Sequence, residues 1–221
     1  MVPIVSFIGR HDSGKTTFVR EVVTHLKEKG LRVAVIKSTK HTDIEFDREG
    51  SDTDLYKKAG ADSVTLIAPD QMIIMSDKPD SNLIGIVHRF FLNYDIVIGE
   101  GFKHERHIAK IEVIRDDSDP LKDQVNGVIA VVTDQSISRD YIFRPDESKE
   151  VTDFIVKKFI EKKKANEEQV LLLVNGKKIP LKSFVQDALA STVHGFVESL
   201  KQTGNMQEID LKIRLPKNED K

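Results

Sequence analysis

The sequence predicts an α/β fold with a mostly parallel central sheet, followed by a small α+β C-terminal extension. Three observations carry that expectation. Short β-branched runs alternate with segments of helical periodicity across residues 4–160. A glycine-rich string, GRHDSGKTT, stands directly between the first such run and the first helical segment. A polar charge run at 162–168 then sets off a tail with its own hairpin signal. Two domains are expected on this basis, over residues 1–164 and 168–216.

The elements follow in chain order. Residues 4–8 form a β-branched run that ends at Gly9. From Lys15, Phe18, Val19, Val22, Val23 and Leu26 fall on one helical face, and Gly30 supplies a natural stop. Residues 31–36 read as a second buried strand, 37–52 as a charged loop, and 55–59 as a short helix closed by the Ala59-Gly60-Ala61 turn. Strands are expected at 63–67 and 72–75, with Pro69-Asp70 as the hairpin turn between them. Helical spacing returns over 82–93, through Leu83, Ile86, Val87, Phe90 and Phe91. Residues 95–98, 108–114 and 128–132 are three further strand candidates, and 151–164 is an amphipathic helix. In the tail, 170–174, an Asn175-Gly176 turn and Lys178-Ile179 read as a hairpin, followed by a helix at 181–200 and a strand at 209–215. A tail of this size is small for an independent core.

Composition narrows the function classes. The chain has 221 residues, long enough to bury a core without staples. Its hydrophobic fraction is 39%, which excludes a disordered or fibrous polypeptide. Thirty-four basic residues against thirty-six acidic ones leave a net charge of -2, so there is no global positive field for a nucleic-acid partner. The absence of cysteine excludes thiol catalysis, zinc ribbons and iron–sulfur clusters. The N-terminal MVPIVSFIGR lacks a basic n-region, and no stretch approaches the roughly 18 apolar residues that span a bilayer. A cytoplasmic protein with no membrane partner is expected.

The string at 9–17 matches G-x-x-x-x-G-K-[ST], the P-loop of NTPases. Its glycines permit positive φ and close approach of backbone to a polyphosphate. Successive N–H groups then form an anion nest, reinforced by the positive end of the following helix. Gly9, His11, Asp12, Ser13, Gly14, Lys15, Thr16 and Thr17 are accordingly the candidate nucleotide-binding residues. Lys15 would reach the β- and γ-phosphates, and the Thr16 hydroxyl would ligate Mg²⁺. Such a site also wants an acid at the carboxyl end of a neighbouring strand. Asp95 begins the strand candidate there and Glu100 follows it, so Glu100 is the better placed, with Asp95 read as a strand-opening or capping residue.

Residues 131–134 end another strand on the same side of the sheet. The Asp134 carboxylate, beside Thr133, is positioned to accept hydrogen bonds from guanine N1–H and its exocyclic amine. The lysine usual in the base-reading motif of GTPases is absent, and a loop Asp capping the next turn is the alternative. In the loop after the second strand, Lys37, His41, Asp43, Asp47, Asp52 and Asp54 are function-competent, with solvated loop charges as the plainer reading. His104 and His107 lack a third ligand in register for a transition metal, and His88 and His194 read as structural or exposed.

These residues resemble one P-loop family, the molybdopterin-guanine dinucleotide biosynthesis protein B (MobB) family. Three features carry the likeness: the P-loop followed by GLRVAVIK; the block DREGSD at 47–52 followed by AGAD at 59–62; and DIVIGEGFK at 95–103 with KIEV at 110–113. The likeness covers about residues 2–160. It implies a GTP-binding protein with weak hydrolytic activity, usually dimeric, that assists the molybdopterin guanylyltransferase. By position it adds Lys37 to the nucleotide-binding candidates, and Asp47 with Glu100 to those for Mg²⁺. The chain departs from the family where KSTKH at 37–41 replaces KHTHH, and where GSDT at 50–53 replaces GKDS. A small-molecule or nucleoside kinase is the competing reading, but the arginine-rich lid such enzymes close over phosphates is not evident. Neither an arginine finger nor a positioned glutamine is identifiable, so any hydrolysis is expected to be slow. A metal-insertion NTPase would want a Cys/His tract that the sequence lacks.

Overall fold

Continuous apolar runs become the buried strands of a parallel sheet, because such strands meet side chains on both faces. The computed structural model describes residues 2–42, 44, 47–77, 82–115, 118–121, 124–161, 170–174, 177–201, 206, 208–211 and 213. The chain divides into two compact units, Met1–Asn166 and Glu167–Lys221. In the first, β1 (Ile4–Ile8), β2 (Val33–Lys37), β5 (Ile96–Glu100), β6 (Ala109–Val113), β7 (Val128–Val132) and β8 (Ile142–Phe143) form one sheet in the order β2-β5-β1-β6-β7-β8. Every pairing in it is parallel. β3 (Ser63–Ile67) and β4 (Met72–Ser76) form a separate antiparallel hairpin, closed by a bond from Ala68 N–H to the Gln71 carbonyl around Pro69-Asp70.

Alternation along the strands sorts the core into two layers. Val5, Phe7, Ile96, Ile98, Ile111 and Val132 pack on one face with Phe18, Val22 and Leu26 of α1 (Lys15–Glu28) and Val151 and Ile155 of α4 (Ser148–Ile155). Ile4, Ala34 and Val97 meet Leu83 and Val87 of α3 (Leu83–Phe90) on the other. Two charged side chains of β6 are also buried. The Lys110 ammonium donates to the carbonyls of Glu105 (2.6 Å) and Asn126 (2.8 Å), while Glu112 accepts from Leu121 N–H at 2.6 Å.

Several boundaries differ from the sequence expectation for identifiable reasons. α1 ends at Glu28, and Gly30 (φ +77°) completes a Schellman turn, with Gly30 N–H bonded to Lys27 and Leu31 N–H to Leu26. Leu31 is thus spent on the cap. Arg32 N–H bonds to Asp95 at 2.6 Å, so β2 starts at Val33 and Asp95 opens β5 as expected. α2 (Asp52–Lys58) starts earlier than the apolar pattern suggests, because Ser51 caps it through Asp54 N–H. α4 likewise starts at Ser148, where polar residues are buried: the Thr152 hydroxyl bonds to the Ser148 carbonyl at 2.8 Å. After Ile155 the chain continues as a π-helical stretch, Val156–Glu161, and the expected helix residues 162–164 lie outside the described residues.

In the second unit, β9 (Leu172–Val174) and β10 (Lys177–Ile179) pair antiparallel and α5 (Ser183–Glu198) follows. The Asn175-Gly176 turn and the charge run at 162–168 lie outside the described residues. The expected strand at 209–215 is corrected for the residues that are described: 209–211 and 213 pair with no strand, so no ladder holds them extended. Among the described residues, no helix is long and apolar enough to cross a membrane.

Leu26 is fully buried in the layer beneath α1. Leu26→Ala is expected to destabilise the first unit by about 2–5 kcal/mol, through lost burial plus a residual cavity. Urea unfolding of the full chain measures it, and a change under 1 kcal/mol contradicts this packing.

Candidate functional site

The turn from β1 into α1 is shaped to receive an anion. Gly9 has no room for a side chain, since a Cβ there would lie 2.3 Å from the Val113 carbonyl and 2.7 Å from Ser13 Oγ. Asp12 (φ +58°) and Gly14 (φ +76°) take left-handed conformations, which turn successive N–H groups toward one side. Gly14 caps α1 with no side-chain bond, and the first turn carries no acid. The helix therefore begins with open N–H donors and an uncompensated positive dipole end.

Glu100, the last residue of β5, joins three elements at the mouth of this turn. It stands in register with Phe7 of β1 and Lys37 of β2. Its Oε1 accepts the Thr16 hydroxyl at 2.8 Å and lies 3.2 Å from Lys37 Nζ. The residue is only 9% exposed. The chain folds sharply after it: Gly101 and Phe102 both have positive φ, at +99° and +56°. For a bulky aromatic that conformation is strained, and strain of this kind gathers at functional sites. A bond from Gly101 N–H to the Phe7 carbonyl, and one from Ser6 Oγ to the Gly101 carbonyl at 2.8 Å, hold the turn in place.

Cations crowd the same mouth. The Lys15 ammonium donates to the Arg10 carbonyl and, at 3.1 Å, to Ser13 Oγ. Burial pushes its pKa below the ordinary lysine value; nearby Lys103 and Lys37 push in the same direction, against Glu100 and Asp12. Lys103 is the residue that sequence reasoning missed as part of the site. Its signal was present, as the last residue of a GEGFK segment at a strand's carboxyl end, but its reach toward Lys15 depends on the Gly101-Phe102 turn.

The residues present fit Mg²⁺ with a polyphosphate. Two adjacent ligands of an octahedral Mg²⁺, each about 2.1 Å from the metal, lie about 3 Å apart. The separation of 2.8 Å between Thr16 Oγ1 and Glu100 Oε1 is close to that. Among the described residues no three His, Cys, Asp or Glu side chains gather in one group. Such a set suits Mg²⁺, which keeps waters and shares phosphate oxygens rather than filling an all-protein cage.

Asp47 stands apart from this pair. Its oxygens accept from Ser51 Oγ (2.7 Å), Thr53 Oγ1 and Arg48 N–H (2.8 Å), and no bond among the described residues joins it to Thr16 or Glu100. The Thr53 and Ser51 hydroxyls, then Arg48 N–H, hold its carboxyl below the usual range. Thr133 is buried at the end of β7, its N–H bonded to Phe143 and its hydroxyl accepting from Gln135 N–H. Asp134 is exposed, and its carbonyl accepts from Arg144 at 2.7 Å. Directly after it opens a cavity of about 800 Å³, lined by residues 135–139, 142–144 and Glu147.

Comparison with known proteins agrees with this arrangement. Residues 4–134 match the family described as molybdopterin guanine dinucleotide synthesis protein B (MobB). An Escherichia coli K12 relative, named a molybdopterin-guanine dinucleotide biosynthesis adapter protein, is 30% identical over 149 residues, 63% of this chain and 83% of its own. A Methanocaldococcus jannaschii relative of the same adapter-protein description is 29% identical over 238 residues, covering 97% of this chain and 98% of its own. Among solved structures, a molybdopterin-guanine biosynthesis protein B is 29% identical with a TM-score of 0.57, over 70% of this chain and 97% of that one. Bacillus subtilis MobB shares the fold with a TM-score of 0.58 at 24% identity, over 71% and 98% of the two chains. With a glycine turn closed by a buried acid at its mouth and this span of matched residues, the chain belongs to the MobB family.

Proposed function

We propose that this protein binds Mg²⁺–GTP at the P-loop and acts as an adapter for a molybdopterin guanylyltransferase in guanylation of the molybdenum cofactor. The observation that carries the reading is Glu100 Oε1 held between the Thr16 hydroxyl and the Lys37 ammonium at the P-loop mouth. The open N–H groups from Gly9 through Thr17 would cradle the phosphate chain. Lys15, Lys37 and Lys103 would neutralise it, which relieves their mutual repulsion. Thr16 and Glu100 would hold Mg²⁺, which would screen the charge of the phosphates. Asp47, engaged within its own loop, would act at most on the outer side of the site. Thr133 orders the end of β7, and Asp134 would accept the donors of guanine beside the cavity at 135–147. The adapter names of the relatives reported above favour this reading over a kinase. Division of the chain into a nucleotide-binding domain at 1–164 and an extension at 168–216 belongs to the same proposal.

Lys15→Ala is expected to cost about 1.5–3 kcal/mol of Mg²⁺–GTP binding, the range for a charged hydrogen bond. Calorimetry on the purified chain measures it, and wild-type affinity in the variant rules the P-loop reading out. The same titrations carry a pH signature. Phosphate contact raises a lysine pKa that the free protein lowers. Affinity is therefore independent of pH below the lowered value and falls as pH rises through it, with net proton uptake on binding in that alkaline window.

A homodimer is proposed as the working form. Val174 in the second unit is 48% exposed, and on the β3–β4 hairpin Ile67 and Met72 are 76% and 61% exposed, so apolar surface is available for a second copy to cover. Sedimentation equilibrium is expected to give twice the chain mass, and a monomer mass at high concentration excludes the dimer.

In a reconstituted reaction of guanylyltransferase, molybdopterin, GTP and Mg²⁺, added protein is expected to raise the yield of guanylated cofactor, with Lys15→Ala removing the gain. The isolated chain should hydrolyse GTP well below the typical turnover of about 10 per second. An unchanged yield, with phosphoryl transfer to a small molecule instead, transfers the case to the kinase reading.

A further inference from the structure

Arg115 lies two residues beyond the end of β6, and its guanidinium packs on the second glycine of the P-loop. A Cβ built on Gly14 would lie 3.0 Å from both Cζ and Nε of Arg115 and 3.4 Å from Nη1. Gly14 takes a left-handed φ, and the guanidinium occupies the space beside it. The arginine is exposed, and among the described residues no hydrogen bond or ion pair holds it. A planar donor fork without a partner, resting on an anion-binding turn, is an incomplete phosphate contact.

Sheet order says which part of a nucleotide it faces. β5 and β6 flank β1 on opposite sides, and β7 lies beyond β6. Glu100 and Lys103 therefore come to the P-loop from the β5 side, whereas Arg115 comes from the side that leads to Asp134. Two separate stations result: a lysine and carboxylate station for the metal and terminal phosphates, and an arginine station between the P-loop and the base.

We propose that Arg115 is a nucleotide-binding residue that grips the α-phosphate from the β6 side of the P-loop. The inference rests on the GTP-binding reading above and assigns the orientation of the nucleotide within it. The guanidinium would add two charge-assisted donors to the α-phosphate oxygens, where the loop's own N–H groups already converge. Lys15 and Arg115 would divide the chain of phosphates, one toward the β/γ end and the other toward the ribose.

The test compares Arg115→Ala, Arg115→Lys and Lys15→Ala for binding of GTP, GDP and the two diastereomers of GTPαS, with thermal melting of each ligand-free protein as the control for folding. Arg115→Ala should weaken GTP and GDP alike, by tenfold or more, and abolish the preference between the GTPαS diastereomers. Lys15→Ala should weaken GTP more than GDP and keep that preference. Arg115→Lys should fold as wild type and recover only part of the affinity, since it restores charge without the fork. Arg115→Ala affinities within twofold of wild type, or an unchanged diastereomer preference, overturn the assignment while leaving the P-loop reading intact if Lys15→Ala still binds weakly. Failure of the wild-type chain to bind GTP or GDP overturns both.

Discussion

The carboxylate of Glu100 is the interaction around which the site is built. A nearly buried anion must be paired, because leaving one unpartnered in the interior costs several kcal/mol. Here the pairing draws on three elements at once: Thr16 from the first turn of α1, Lys37 from the end of β2, and the strand end of β5 itself. That requirement ties the register of β2 and β5 to the position of the P-loop. The sharp left-handed turn at Gly101-Phe102 follows from the same demand, since the chain must leave the sheet immediately after the carboxylate.

Much of this was readable in the sequence wherever one interaction dominates a segment. β1 and β7 fall where largely apolar, β-branched runs put them, because strands inside the sheet carry few polar residues to blur the edges. Glu100 was readable as well, since a lone acid at a strand's carboxyl end has few other reasons to be there. The failures share a cause, which is local hydrogen bonding that overrides apolar pattern. Leu31 looks like strand but closes the α1 cap, and Ser148 looks like loop but opens a helix through Thr152. The two-residue β8 is too short to show any period. Asp47, a Mg²⁺ candidate by family resemblance alone, has its carboxylate engaged by its neighbours Ser51 and Thr53. Lys103 and Arg115 were hidden for a different reason: their positions depend on backbone turns and strand order, not on spacing along the chain.

On the nucleotide-binding reading proposed above, the charge at the P-loop mouth would serve to hold a polyphosphate. Lys15, Lys37 and Lys103 stand with Glu100 and Asp12 about the P-loop, three cations against two carboxylates. Catalysis of hydrolysis needs in addition a group that orients water and a cation aimed at the charge developing on the γ-phosphate.

Lys15 carries one further consequence. Its ammonium is folded back on the Arg10 carbonyl and Ser13 of its own loop. The loop thereby keeps a stand-in for its ligand, and any incoming anion must compete with an intramolecular partner at high effective concentration. A single phosphate or sulfate, offering one point of contact, exchanges one bond for another and gains little. On the nucleotide-binding reading proposed above, a triphosphate would engage the N–H nest, the metal and several cations together, and such a multipoint ligand would displace the stand-in with a net gain. On the proposed reading the folded-back lysine would set an affinity threshold that small anions do not pass.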